Sequence, residues 1–331
     1  MHGPPGWDVM ADIAALILPL FGLIFLGFLT ARLTKQPVEA LGWLNIFVIY
    51  VALPALFFKL VSRTPIEQLT RLDFILANLL TTYGLFALIF AIAIIIRRAS
   101  IADGTIQGLA GAYGNIGYMG PSIAILALGE EAAVPVAIIF CFENVMHFAL
   151  APCLMAVSGG EKRTAGALVL HILRRIFLHP FILATAAGVI AAWLQFSVPQ
   201  AAERLIDYLA QAAAPCALFA MGVTLALRPL RRIPVELGYI VPAKLILHPI
   251  LMYFALGLLG DFDPVWIYTA ILLAALPTAT NVFVLAQHYG HWVERASATI
   301  LVTTVLSVVT VTALLYAITN GLLPADIYPG R

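Results

Sequence analysis

Charge is what this chain has least of. Only 11% of its 331 residues are charged, where a soluble globular domain carries roughly a quarter. With 62% hydrophobic residues and a mean hydropathy of +1.00, a water-soluble fold, a disordered chain and a collagen-like repeat are all excluded. A surplus of one sign is lacking as well: the net charge is +1, so no field points to nucleic acid as a partner. Cysteine is scarce, and Cys141, Cys153 and Cys216 lie scattered in apolar stretches, which excludes a disulfide framework or a zinc site and leaves neither metal nor cofactor implied. Hydrolytic machinery is missing too. There is no H-E-x-x-H, no pair of aspartates within an apolar run and no serine in a G-x-S-G context, so the chain is not read as an enzyme. What remains is one polytopic domain over 1–331 with the lipid bilayer as its solvent.

A helix crossing the hydrocarbon core needs roughly 20 apolar residues, because its backbone must satisfy its own hydrogen bonds there. The hydropathy pattern predicts ten transmembrane helices in an all-α membrane protein, near 11–32, 41–61, 73–96, 101–129, 130–157, 172–194, 202–227, 235–259, 264–290 and 291–319. The opening MHGPPGWDVMAD lacks a basic region, so the first apolar run reads as a retained span. Twelve cations collect on one set of connections: Arg32, Lys35, Arg97, Arg98, Lys162, Arg163, Arg174, Arg175, Arg228, Arg231, Arg232 and Arg295. Only Arg63, Arg71, Arg204 and Arg331 fall on the other side, whose loops also hold Glu130, Glu131, Asp261 and Asp263. Positive charge stays in the cytoplasm, so both termini lie outside and the basic 158–176 connection lies inside. For a bacterial chain that membrane is the cytoplasmic (inner) one.

Proline spacing exposes an internal repeat. Pro19 precedes Gly27 by eight residues and Pro180 precedes Gly188 by eight; Pro54 lies 35 residues after Pro19, and Pro215 lies 35 after Pro180. The strings ALPALFF and AAPCALF surround the second pair. Two five-helix halves, 11–157 and 172–319, account for this. An odd number of spans makes the second half insert upside down, the 5+5 inverted repeat of many secondary transporters.

Two spans carry the chemistry. The fourth, IADGTIQGLAGAYGNIGYMGPSIAILALG, has Gly108, Gly111, Gly114, Gly117 and Gly120 at every third position and then Pro121. Small residues can simply let helices pack closely, yet that does not account for Asn115 and Pro121 in mid-membrane. As one straight helix its 29 residues would reach about 43 Å, well beyond a core of about 30 Å. A break near 114–121 fits better. The ninth span, PVWIYTAILLAALPTATNVFVLAQHYG, has Pro277, Thr278, Thr280 and Asn281 at the corresponding place, with Thr and Asn suited to a helix start and Pro just inside one. Paired interruptions at the midplane point to a transporter site, and half-helix N-termini there suit an anion such as a carboxylate. Asn115 and Asn281 would add amide hydrogen bonds without fixed charge.

The strings GNIGYMGPSIA and ALPTATNVFVLAQHYG resemble the paired crossover motifs of the auxin efflux carrier family, which includes bacterial malonate transporters, and KLILHP in the eighth span is similar to the bacterial members. The resemblance covers essentially the whole chain. It implies a fold like that of sodium–proton antiporters and bile-acid symporters, a scaffold of spans one, two, six and seven that also forms a homodimer, and a mobile elevator unit of the other six. It further implies that helices four and nine cross at Pro121 and Pro277. A small organic anion would then rest beside Asn115, Gly117, Tyr118, Gly120, Pro121 and Ser122 of one motif and Pro277, Thr278, Thr280 and Asn281 of the other. Many relatives have G-I-P at the first crossover, whereas here Gly120 meets Pro121 directly, and the long central loop of the plant carriers is absent. Both departures favour a small, malonate-like carboxylate over auxin.

Ionisable groups in mid-membrane are costly and are functional candidates by default. Glu143 and His147 stand four residues apart on the fifth span, and Lys244 and His248 four apart on the eighth. They are candidates for proton coupling or for neutralisation of Glu143 by Lys244; a structural ion pair is the competing reading. Sodium is an alternative coupling ion, since unwound carbonyls can hold it. Lys59 is expected to snorkel to the outer interface; His171, His179, His288 and His291 read as interfacial. A carboxylate channel or sensor on the same fold is the other functional class left open.

Overall fold

Leu, Ile, Val, Phe and Ala runs broken by short polar connections wind into helices, because only a helix satisfies every backbone group within its own segment in lipid. The computed structural model describes residues 6–159, 166, 170, 173, 174, 177, 178, 180–227 and 233–325. Most of the 158–176 connection, with Lys162, Arg163, His171 and Arg175, and likewise His179, Arg228, Arg231, Arg232 and Arg331, lie outside the described residues. The first half comprises α1 (Gly6–Thr34), α2 (Gly42–Ser62), α3 (Leu72–Ala91), α4 (Ile101–Ala112), α5 (Gly120–Leu128) and α6 (Ala133–Val157). The second comprises α7 (Pro180–Trp193), α8 (Gln200–Leu227), α9 (Leu237–Leu259), α10 (Pro264–Ala274), α11 (Thr280–Tyr289) and α12 (Val293–Thr319). Among the described residues six helices are long and apolar enough to cross a membrane, and no strand is formed.

Without a hydrophobic drive between helices in lipid, close packing must hold them together. The α1–α8 contact shows how. A Cβ added at Gly27 would run into the Phe219 carbonyl, and one added at Gly222 into the Ile24 carbonyl, so the two backbones touch where side chains normally intervene. Gly188 of α7 packs the same way on α2, its missing Cβ facing the Phe58 carbonyl at 3.2 Å and Val61 at 3.0 Å. Gly108 and Gly111 of α4 accept the Phe86 and Ile89 side chains of α3. Two of the five glycines in the series are therefore packing devices against α3.

Buried hydroxyls close back onto their own helices: Thr81 donates to Ala77 O, Thr299 to Arg295 O and Thr304 to Ile300 O, each at 2.7–2.8 Å. Lys59, expected to snorkel towards the outer interface, is half-buried. Its Nζ pairs with Asp207 at 2.8 Å across α2 and α8, and Arg63 pairs with Glu203 one turn further out, also at 2.8 Å. On the basic face Arg295 bonds Glu236 at 2.7 Å, and His291 contacts Asp103 at 3.2 Å, tying α12 to the turn before α9 and the α11–α12 turn to α4.

Candidate functional site

Both interruptions are present. α4 begins with Ser100 accepting the Asp103 N–H at 3.1 Å, and α10 begins with Asp263 accepting the Val265 N–H at 2.8 Å and Pro264 in its first turn. Those outer ends are conventionally capped. The inner ends are not: α4 stops at Ala112, the chain runs non-helically over 113–119, and α5 starts at Gly120; α10 stops at Ala274 and α11 starts at Thr280.

The two non-helical stretches are bonded to each other as an antiparallel bridge between Gly114 and Thr278. Asn115 N donates to Pro277 O at 2.8 Å, and Ala279 N donates to Tyr113 O at 2.9 Å. Thr278 adds a hydroxyl bond to Ala110 O at 2.7 Å, while its N–H donates to Thr303 Oγ1 at 3.2 Å. Backbone groups that a continuous helix would pair internally are thus paired across the junction, which is what makes a break tolerable in lipid. The contact differs from the expected one in two respects. Pro121 takes no part in it, sitting in the first turn of α5 where its missing N–H costs nothing, and Pro277 lies ahead of α11 rather than inside its first turn.

A cavity of about 620 Å³ adjoins the junction, within the range of small-molecule sites. Of the residues expected at the site, Asn115, Gly117, Tyr118, Thr280 and Asn281 form part of its wall. Gly120, Pro121, Ser122, Pro277 and Thr278 do not: Gly120 packs on Leu273, Pro121 and Ser122 lie in the first turn of α5, and Pro277 and Thr278 form the junction itself. Consequently the N-terminus of α11, and not that of α5, faces the cavity. Neither Met119 nor Ala279 supplies a side-chain cap, so the first N–H groups of α11 carry the unpaired donors and positive dipole end that favour an anion.

The two asparagines are held differently. Asn115, 1% exposed, donates through Nδ2 to the Met221 sulfur of α8 at 3.1 Å. A thioether is a weak acceptor, so a carboxylate oxygen there makes the better bond. Asn281 donates at 2.9 Å to the Tyr113 hydroxyl, which donates at 2.5 Å to Asn144 Oδ1, whose amide in turn donates to Phe140 O at 2.7 Å. Tyr113 thereby fixes which way the Asn281 amide faces. Phe140 also stacks on Phe57 with ring centroids 4.3 Å apart, and a Cβ at Gly117 would lie 2.8 Å from its ring.

Behind the junction the four ionisable candidates are all buried, between 0% and 3% exposed. Lys244 does not touch Glu143 directly. Lys244 Nζ donates to Ala274 O at 2.5 Å, the carbonyl ending α10, and lies 3.1 Å from His248 Nδ1. His248 Nε2 lies 3.2 Å from Thr82 Oγ1, which donates to Glu143 Oε1 at 2.8 Å. With the Thr82 proton given to Glu143, Thr82 can accept from a His248 Nε2–H, the tautomer in which Nδ1 is the acceptor facing Lys244. His147 belongs to a separate group, with Nδ1 at 2.6 Å from Glu143 O and 3.0 Å from the Tyr83 hydroxyl and its ring stacked 3.9 Å from that of Tyr113. Thr82, Tyr83, Tyr113, Asn144 and Met221 escaped the sequence reading. Hydroxyl and amide side chains in an apolar run carry no pattern signal, though the i, i+4 pairs on the fifth and eighth spans marked the helices they join.

A helical membrane protein with two bonded interruptions beside a cavity is built as a transport protein, and comparison with known proteins agrees. A family model described as "Membrane transport protein" matches residues 12–315. The chain belongs to this family, that of the auxin efflux carriers. It is 68% identical over 320 residues to a protein of Rhizobium meliloti (strain 1021) named "Putative malonate transporter", covering 97% of this chain and all of that one. An "Uncharacterized transporter" of Methanothermobacter thermautotrophicus is 27% identical over 88% of this chain and 94% of its own length, and "Uncharacterized transporter YfdV" of Escherichia coli (strain K12) 24% over 91% and 96%. Family and relatives indicate a role in transport rather than catalysis, exercised by a multi-pass membrane protein.

Proposed function

We propose that the chain is a secondary transporter that moves a small, malonate-like carboxylate across the bacterial cytoplasmic membrane by alternating access. The observation that carries this is the cavity whose wall joins Asn115 from one interruption to Thr280 and Asn281 from the other, at an uncapped helix N-terminus. The name of the Rhizobium relative supports malonate as the first substrate to try.

Counting α4 with α5 and α10 with α11 as single interrupted passes gives the ten-pass inverted repeat. The glycine contacts support it. Gly27 packs on Phe219, Gly188 packs on Phe58, and both pairs are offset by the same 161 positions (188 − 27 and 219 − 58). Those contacts join α1 to α8 and α2 to α7, the four helices assigned to a rigid, dimer-forming scaffold, against which the unit carrying the junction would move as an elevator. The cavity extends along α11 and the start of α7, both leading to the basic connections, so this arrangement is the one open to the cytoplasm, with the Phe57–Phe140 stack on the outward side. The Lys244–His248–Thr82–Glu143 chain links the two halves and is the candidate coupling element for a proton, with sodium the alternative.

The test is counterflow of labelled malonate in proteoliposomes. Asn115→Ala with Asn281→Ala is expected to abolish saturable exchange while the purified variant keeps its monodisperse profile. Unchanged kinetics in the double variant would remove the site from the reading.

A further inference from the structure

The cavity wall holds one charged side chain among the described residues, and it is neither of the buried pairs: it is Arg174, on the helical turn that leads into α7. Leu178 N donates to Arg174 O at 3.0 Å, which anchors that turn at the rim. Arg174 is exposed and has no ion pair among the described residues, and the described residues of the wall include no carboxylate. The other side chains with polar atoms in the wall are the amides of Asn115 and Asn281, the hydroxyl of Thr280 and the phenols of Tyr50, Tyr113 and Tyr118. The cavity is therefore bipolar in a particular sense. At its inner end sit neutral donors and a helix N-terminus, enough for one carboxylate; at its rim sits a full positive charge with nothing in the wall to neutralise it.

We infer that Arg174 is the residue that selects dicarboxylates over monocarboxylates, acting as the counter-ion of the second carboxylate while the first rests at the junction. The inference rests on the transport reading above and deepens it. An uncompensated cation at a cavity mouth attracts any anion, but a dianion feels twice the Coulomb energy of a monoanion in the same place. Loss of the charge then enters squared: a factor of about three for a monoanion becomes about ten for a dianion, both modest because an exposed guanidinium is screened by salt. The planar fork of Arg adds paired hydrogen bonds to a carboxylate that Lys cannot reproduce.

The experiment compares malonate with malonamate, its half-amide of the same size and single charge, on the full-length protein in proteoliposomes and, for binding, in detergent by calorimetry. Arg174→Gln is expected to weaken malonate about tenfold and malonamate about threefold, and Arg174→Lys to recover most of the charge-dependent part. In the unmodified protein the malonate-to-malonamate preference should fall as ionic strength rises, a result that needs no variant to fold. Equal losses for both ligands, no loss for either, or a salt-independent preference would overturn the assignment. Binding without flux in the unmodified protein would sink the transport reading and leave the Arg174 affinity ratio to be judged by itself; absence of binding as well would overturn both.

Discussion

Replacing Thr82 by valine removes one hydroxyl and almost no volume, and it cuts the chain between the two halves at its centre. The hydroxyl holds Glu143 Oε1 at 2.8 Å and His248 Nε2 at 3.2 Å, all three groups buried. Valine is also β-branched, so helix rotamer preference is nearly unchanged. Hydrogen bonds between membrane helices average about 0.6 kcal/mol each by double-mutant cycles, because unfolded helices in lipid find other partners. Here neither orphan has such an alternative in the folded state, and an unsatisfied buried polar group costs about 1–3 kcal/mol. The second effect dominates, and Thr82→Val should destabilise by about 2 kcal/mol, several times the 0.6 scale. Thermal melting in a fixed detergent reads this as a drop of several degrees, with Thr82→Ser restoring most of it. Malonate flux driven by a pH gradient should fall more than exchange at zero gradient. A Thr82→Val protein that melts with the parent and responds equally to the gradient would refute the claim that these residues form one energetic unit.

Tyr113→Phe deletes the hydroxyl that orients Asn281 and bonds Asn144. It should raise the malonate KM about tenfold through roughly 1.4 kcal/mol of lost positioning, with little change in maximal exchange rate. Gly222→Val puts a branched side chain into the Ile24 carbonyl at the α1–α8 contact. It should lower stability by about 1–3 kcal/mol, read as reduced yield and earlier melting with the substrate affinity of the surviving protein unaltered.

The two interruptions and the asparagines at their centres were legible because each leaves a local mark. A Gly–Pro string is not an ordinary helix interior, and Asn beside such a string has no packing motive. The register of the junction was not legible. The family resemblance set the crossing at Pro121 and Pro277, yet Pro121 serves the first turn of α5, and the bridge falls at Gly114, where small size lets Leu273 O and Lys244 Nζ approach within 3.1 and 3.3 Å of a would-be Cβ. Nor did spacing reveal that Lys244 and Glu143 are joined through Thr82. That link depends on how α3 lies between α6 and α9, a tertiary fact with no one-dimensional trace. Arg174 was visible only as one of twelve cations marking topology, since a residue serving orientation and a residue serving a ligand have the same composition.

The proposal of an anionic substrate rests on which helix ends at the junction are left open. Four termini meet there, two carbonyl ends and two amide ends, and by symmetry they would attract cations and anions alike. The carbonyl ends are closed from within: Ala274 O by Lys244 Nζ, Ala110 O by the Thr278 hydroxyl, Leu109 O by the Tyr113 N–H. The amide end of α5 is turned against Leu273. What remains facing the cavity is the amide end of α11, without a capping side chain and flanked by Thr280 and Asn281. On the proposed function, a buried lysine at the end of α10 serves anion binding without touching the anion: it covers the Ala274 carbonyl with a donor whose other contact runs through His248 and Thr82 to Glu143. On the same proposal, a change in the proton held by that chain alters how completely the carbonyl end is masked, a physical route from coupling ion to substrate affinity that needs no contact between the two.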